Sequence, residues 1–238
     1  MSVPTASSPR TPCSPACGAA ASPTRTRGAS PCPPTSEAFN GFFLAGGASY
    51  TLEAHRIAFE GNGRLDFASY GAAVTGAGDG TRLVVDGADI DNRGVVRTGV
   101  IARDGANVIV KNSGIRTREG VLPDDHEPGF GANMMTVPWM LGLADNVRAT
   151  NVLGANTTAT YFNSRISSES WGVLSMDSVR NSLLTAINST VTLTGDSGYG
   201  TYADGGSRQD ITGQEPAGFE PRPSVVRTPW VRRDVAQR

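Results

Sequence analysis

The chain has 238 residues, 38% of them hydrophobic and 18% charged, with 29 glycines and 15 prolines. This surplus of small, turn-forming residues disfavours a helical bundle, and a formal net charge of −1 gives no sign of a nucleic-acid or anionic-membrane partner. No apolar run reaches the roughly 18 residues of a membrane-spanning helix, so a helical membrane span is not expected.

The first segment, residues 1–36, is rich in Ser, Pro and Ala and is predicted to be disordered, because it holds eight prolines and no fold signal. It also contains every cysteine of the chain, Cys13, Cys17 and Cys32. An odd number of cysteines in such a tract indicates neither a disulfide framework nor a metal site. No signal peptide is visible, since the segment lacks an apolar stretch of about 7 to 15 residues.

Residues 37–204 are predicted to form the folded domain, and residues 205–238 a polar, Pro- and Arg-bearing tail that is predicted to be disordered. No proline occurs in 35–122 or in 139–215, which are therefore the ranges where extended strands can pair. Residues 37–204 carry 12 basic and 18 acidic residues, whereas both flanks are basic.

An internal repeat runs through this domain. The signature Asn-Ser-x-Ile/Val begins at Asn112, Asn163 and Asn188, with starts 51 and 25 residues apart. Gly87 and Asn62 fit the same position in earlier units, and the spacing predicts a further unit near residue 137. Each unit reads as short β-branched strands separated by Asn, Asp or Gly turns.

A unit of about 25 residues cannot bury its own apolar face, so successive units are expected to stack as a parallel β-solenoid of about six coils. Corner asparagines are expected to stack as side-chain amide ladders. One ladder of inward-facing aliphatic side chains is predicted to comprise Leu65, Ile90, Ile115, Ile166 and Val191. A second aliphatic ladder is expected to include Val84 and Ile109.

Residues 104–113, 171–175 and 184–189 resemble coils of right-handed parallel β-helix proteins of the pectin-lyase-like type, particularly uncharacterised ones from high-GC bacteria. The resemblance covers about residues 60–204. It implies an all-β right-handed parallel β-helix, an extracellular setting and a polysaccharide partner. Relatives of known activity include polysaccharide lyases and glycoside hydrolases, and a shared fold alone does not transfer a reaction.

The least regular segment follows Pro123 and holds the candidate catalytic residues. Asp124, Asp125, His126 and Glu127 could act as general acid and base or bind a metal. The plainer interpretation is a solvated loop, because the candidate ligands are adjacent and only one is a histidine.

A second acidic group is a weak candidate for Ca²⁺. Asp86, Asp89 and Asp91 could bind the ion, with Arg116 or Arg118 as the base of a lyase. The alternative is a solvated acidic turn. The Asn-Thr-Asp and Gly-His-Gly signatures of polygalacturonase-like sites do not occur in the sequence.

Aromatic side chains supply the candidate ligand-binding residues. Trp139, Tyr161 and Trp171, together with Tyr199, could stack against sugar rings. Buried aromatics that cap the core are the equally plausible alternative.

These features favour a non-catalytic β-solenoid scaffold that binds extracellular carbohydrate. One alternative is a polysaccharide lyase or glycoside hydrolase, with Ca²⁺ needed only in the lyase case and no other cofactor expected. Another is an adhesin-like module that associates through an open coil edge, because neither end of the repeat resembles a cap. The uncapped ends also suggest a truncated or frame-altered form of a longer secreted protein.

Overall fold

The computed structural model describes residues 40–63, 71–121, 147–196 and 198–212, with the backbone of residues 233–234. Within these residues no helix is long and apolar enough to cross a membrane. The strands in chain order are β1 (Phe42–Leu44), β2 (Ser49–Glu53), β3 (Arg56–Glu60), β4 (Ala72–Ala77), β5 (Arg82–Asp86), β6 (Asp89–Arg93), β7 (Thr98–Arg103), β8 (Asn107–Lys111), β9 (Gly114–Arg118), β10 (Arg148–Ala155), β11 (Thr158–Phe162), β12 (Arg165–Ser168), β13 (Gly172–Ile187), β14 (Thr190–Leu193), β15 (Tyr199–Thr212) and β16 (Arg233–Asp234).

Parallel pairing between strands two or three apart in the chain organises the fold. One ladder runs β1, β4, β7, β10 and β13, a second runs β2, β5, β8, β11 and β13, and a third runs β3, β6, β9, β12 and β14. We call each successive trio of strands, from β1–β3 onward, a layer. Every pairing is parallel except that of β15 with β16.

The fold predicted from the repeat, a right-handed parallel β-helix of about six coils with disordered tails, is wrong. β13 extends over 16 residues and pairs with β10 through its first half and with β11 through its second. The first two ladders, together with β15 and β16, are therefore one 11-stranded sheet that bends back at β13 and is nearly closed, like a barrel. The third ladder is a separate 5-stranded sheet.

Single residues bend β13 where the repeat predicted a turn between two short strands. Ser178 and Asn181 both have φ of 51°, and the register with β15 shifts on either side of them. These bulges turn the strand without ending it. Residues 205–212, predicted to be part of a disordered tail, continue β15, and the backbone of residues 233–234 pairs with it.

The number of layers also differs from the prediction. β8 pairs directly with β11, so Asn112 and Asn163 lie in adjacent layers with no further layer of the described residues between them, and residue 137 lies outside the described ranges. In the first layer, Ala54 rather than Asn62 matches Gly87, because its backbone N–H donates to the next layer in the same way.

One predicted aliphatic ladder is present in the core. Ile90, Ile115 and Ile166 pair in register and are buried, and Val191 continues the row as a half-buried residue. Leu65 lies outside the described residues. Burial of each such side chain contributes about 1.5–3 kcal/mol.

The second predicted ladder was placed on the wrong face. Val84 and Ile109 are half-buried on the outside, and their neighbours Leu83 and Val108 are fully buried. Three consecutive apolar residues at each site hide the period-2 alternation, so the sequence does not distinguish the two faces.

The predicted amide ladder is confirmed at one corner of the layers. Asn188 Nδ2 donates to Asn163 Oδ1 at 3.3 Å, Asn163 Nδ2 to Asn112 Oδ1 at 2.8 Å, and Asn112 Nδ2 to Asp86 Oδ1 at 2.9 Å. All three asparagines have φ between 48° and 53°, a left-handed conformation that asparagine tolerates better than most residues.

The serine that follows each asparagine forms a second ladder. Ser113 Oγ accepts the backbone N–H of Ala88 at 3.0 Å, Ser164 Oγ accepts that of Ser113 at 3.2 Å, and Ser189 Oγ accepts that of Ser164 at 3.1 Å. The Asn-Ser signature thus satisfies the backbone at every turn of this corner.

Substitutions at Asn163 separate the side-chain and backbone contributions of the ladder. Asn163→Gly removes two exposed amide hydrogen bonds and is expected to lower the free energy of unfolding by about 1 kcal/mol. Asn163→Ala is expected to cost about 1 kcal/mol more, because alanine is strained at positive φ. Chemical denaturation measures both, and equal costs for the two variants would contradict this account.

Candidate functional site

The acidic candidate segment lies outside the residues that the structure describes. Asp124, Asp125, His126 and Glu127 lie outside the described residues, as does Trp139. Their catalytic and binding roles stay predictions.

The three calcium candidates do not converge. Asp86 lies on β5 in the 11-stranded sheet, whereas Asp89 and Asp91 lie on β6 in the 5-stranded sheet. Lys111 Nζ lies 2.9 Å from Asp86, and its hydrogen bond lowers the pKa of that carboxyl. Arg118 donates a hydrogen bond to each carboxylate oxygen of Asp91, from Nε to Oδ1 at 3.1 Å and from Nη2 to Oδ2 at 3.0 Å. Among the residues placed by the structure, no three His, Cys, Asp or Glu side chains form a metal-binding group.

Two of the predicted stacking residues are buried. Tyr161 is 0% exposed and Trp171 is 2% exposed, so neither ring presents a face to a sugar. Burial raises the pKa of the Tyr161 phenol. The indole of Trp171 instead packs against the guanidinium of Arg148, whose Cζ lies 5.5 Å from the ring centroid.

An aromatic pair on β15 does reach the surface. The rings of Tyr199 and Tyr202 lie 5.4 Å apart at an interplanar angle of 42°, and Tyr202 is 40% exposed. The Tyr199 hydroxyl lies 3.0 Å from Ser175 Oγ. Sequence reasoning missed Tyr202, because it lies on β15 after the last Asn-Ser unit, where no repeated position marks which side chains face outward.

Polar groups fix the exposed tyrosine. The Tyr202 hydroxyl donates to Asp204 Oδ2 at 3.3 Å, and Gln209 Nε2 donates to the Tyr202 carbonyl at 2.8 Å. Burial raises the pKa of Tyr202, and the negative charges of Asp204 and Asp177 act in the same direction. The phenol therefore stays protonated and keeps its O–H as a donor.

A buried ion pair lies beside this tyrosine. Arg148 on β10 and Asp177 on β13 are in direct contact, with side chains 2% and 8% exposed. The carboxylate of Asp177 is paired with the guanidinium of Arg148, so the pair joins β10 to β13.

Two buried polar residues, Asn151 on β10 and Ser175 on β13, lie side by side on the same two strands as the ion pair. Asn151 pairs with Ile101, and its neighbour Val152 pairs with Met176, so Asn151 stands beside Ser175. Asn151 is buried, yet neither its amide nitrogen nor its amide oxygen has a hydrogen-bond partner in the part of the chain that the structure describes. Buried amides without partners are uncommon in native proteins, and a bound molecule or water often completes them.

Comparison of the chain with protein family models, with curated proteins and with solved structures finds no match, and nothing identifies it as a pectin-lyase-like repeat protein.

Removal of the buried carboxylate tests the ion pair. Asp177→Asn is expected to lower the free energy of unfolding by about 3–5 kcal/mol, because Arg148 would remain buried without this charge partner. Asp210→Asn is the matched control: it disrupts the partly exposed pair with Arg208 and is expected to cost less than about 1 kcal/mol. Similar urea midpoints for both variants would show that the buried pair contributes little.

Alkaline titration tests the burial of Tyr161. The folded pKa is raised, so its contribution to stability is complete below about pH 10, the ordinary tyrosine pKa, and is lost as pH rises beyond it. Tyr161→Phe is expected to reduce this alkaline loss, as measured by the free energy of unfolding between pH 8 and about 11. Tyr50→Phe, at an exposed position, serves as the control, and an unchanged slope in Tyr161→Phe would refute the assignment.

Proposed function

We propose that the protein is a non-catalytic glycan-binding protein that uses the tyrosine face, defined as Tyr199, Tyr202 and Asp204. The extracellular setting that the sequence resemblance implies belongs to the same proposal. The observation that supports it most directly is the exposed ring of Tyr202, packed on Tyr199 beside a carboxylate.

The chemistry of this face matches a sugar. An aromatic ring packs against the apolar C–H face of a pyranose, while carboxylate, hydroxyl and amide groups exchange hydrogen bonds with its hydroxyls. Asp204 supplies an acceptor, and the oxygen of the Tyr202 hydroxyl, which donates its proton to Asp204, can accept a hydrogen bond from a sugar hydroxyl.

The carboxylates near Tyr202 favour binding over hydrolysis. Glycoside hydrolysis uses two carboxyl groups, one of them a general acid of raised pKa. Asp177 forms an ion pair with Arg148, and Asp204 accepts hydrogen bonds from the Tyr202 hydroxyl and from the Ser178 N–H. The enzymatic alternative, a polysaccharide lyase or glycoside hydrolase, would use residues 124–127, and turnover of a polyuronate lost in Asp125→Ala or His126→Ala would support it.

A second candidate function, self-association of an adhesin-like module, is favoured by the two ends of the 5-stranded sheet. β3 and β14 are its edge strands. The half-buried residues Ile57 and Phe59 lie at one end of the core, and Val191 and Leu193 lie at the other. Addition of β3 from one copy to β14 of the next would cover both edges. Light scattering that shows mass rising with protein concentration would support this candidate.

Substitution of Tyr202 tests the glycan proposal. A glycan array selects a ligand, and calorimetry then measures its affinity. Tyr202→Ala is expected to weaken binding about tenfold, because loss of the stacked ring removes about 1 kcal/mol or more. Tyr202→Phe keeps the ring and is expected to lose less.

Tyr50→Ala provides the matched control, because Tyr50 is also an exposed tyrosine packed on an aromatic ring, that of Phe42 at 5.1 Å. It is expected to bind as the wild type does. The proposal fails if no glycan is bound or if Tyr50→Ala and Tyr202→Ala weaken binding equally.

A further inference from the structure

The outer face of the 5-stranded sheet carries five arginines and three carboxylates on its strands. These residues are Arg56, Glu60, Asp89, Asp91, Arg93, Arg116, Arg118 and Arg165. Their distribution is uneven, because the carboxylates lie on β3 and β6 whereas the arginines continue onto β9 and β12. Positive charge is therefore concentrated on the β9–β12 side.

Pairing within this face leaves one cation only weakly engaged. Asp91 is bound through both oxygens by Arg118, and Arg116 Nε lies 3.9 Å from it, at the limit of an ion pair. The side chain of Arg116 is 60% exposed. Its guanidinium can therefore bind a further oxyanion without giving up a strong partner.

Arg165 is a second cation with open donors. It is exposed, and in the described ranges no carboxylate lies within ion-pair distance of it. Arg165 pairs with Gly114 while Ser167 pairs with Arg116, so the two arginines are diagonal neighbours on adjacent strands. Strand spacing and rise place their Cα atoms about 8 Å apart, within reach of one shared anion.

Gly114 forms a gap between the charges. Its φ is not in the left-handed region, and an added Cβ would meet only Asp89 Oδ1, at an ordinary 3.7 Å. Neither the backbone nor crowding requires glycine here. Because glycine has no side chain, the sheet surface between Asp89 on β6 and Arg165 on β12 is left uncovered at Gly114.

We propose that Arg116, Gly114, Arg165 and Ser167, which we name the arginine notch, bind oxyanion groups of an acidic polysaccharide. The two guanidinium groups clamp a sulfate or carboxylate, and the Ser167 hydroxyl, whose bond to the Ile115 carbonyl is long at 3.4 Å, bonds to the same group or to a neighbouring hydroxyl. The notch lies on a different sheet from Tyr202, so the two surfaces can be tested separately.

A polysaccharide fits this face better than a nucleic acid. Nucleic-acid surfaces usually neutralise several successive phosphates with an extended patch of cations, whereas the notch supplies two arginines. The carboxylate of Asp89 at the rim of the notch can accept a hydrogen bond from a sugar hydroxyl. The strand after the notch, β14, continues the face with the hydroxyls of Thr190 and Thr192 rather than with more cations.

The experiment uses three polymers with one backbone: dextran sulfate, carboxymethyl dextran and neutral dextran. The full-length protein is expected to bind one or both charged polymers and not neutral dextran. Tighter binding of dextran sulfate would identify sulfate as the preferred oxyanion, and tighter binding of carboxymethyl dextran would identify carboxylate. The double variant Arg116→Gln/Arg165→Gln is expected to weaken binding at least about tenfold. Gly114→Val, which fills the gap while keeping every charge, is expected to weaken it as well.

The matched control is Arg82→Gln, which removes an exposed arginine from the other sheet and is expected to leave binding within about twofold of the wild type. Denaturation midpoints check that each variant folds, and Tyr202→Ala is expected to leave dextran sulfate binding unchanged. The proposal is overturned if neither charged dextran binds, if Arg82→Gln loses as much as the double variant, if Gly114→Val binds normally, or if duplex DNA competes as strongly as dextran sulfate.

Discussion

Hydrogen bonds between successive layers at one corner are the constraint on which this structure depends. Ala54, Gly87, Asn112, Asn163 and Asn188 each adopt a left-handed backbone conformation, and each donates its N–H to a carbonyl of the next layer at 2.8–3.0 Å. Asparagine suits this position because it tolerates positive φ and its amide links neighbouring layers. The last of these bonds ends on the Thr212 carbonyl, so the corner of one layer requires that β15 extend that far.

That extension positions the candidate glycan site. β15 follows β13 along its length, and the part of β15 near its start displays Tyr199 and Tyr202 beside Ser175. The buried pair of Arg148 and Asp177 then fixes β10 against β13 underneath. The tyrosine face thus depends on three adjacent strands of one sheet, whereas the arginine notch depends on the other sheet, and the corner residues join the two.

The structure can be predicted from the sequence at positions that recur in each unit, and not at positions outside the repeat. Recurrence of Asn-Ser at 112, 163 and 188 is sufficient to predict the amide ladder and the burial of Ile115 and Ile166, because both follow directly from position in the unit. It misplaces Val84, since an unbroken apolar run carries no alternation. It also counts a layer near residue 137, because a spacing of 51 resembles two units although Asn112 and Asn163 are direct neighbours. Tyr202 escapes prediction because it lies after the last Asn-Ser unit, where no repeated position marks which side chains face outward.

Layers joined by hydrogen bonds along a single direction have a mechanical consequence. The described chain begins at β1, on one edge of the stack, and its last long strand, β15, lies at the other. A pulling force between these ends acts along the inter-strand hydrogen bonds, which then open in sequence instead of being sheared together. The three-residue strand β1 pairs through only three residues. Under tension the protein should unzip from that end, one layer at a time, at low force.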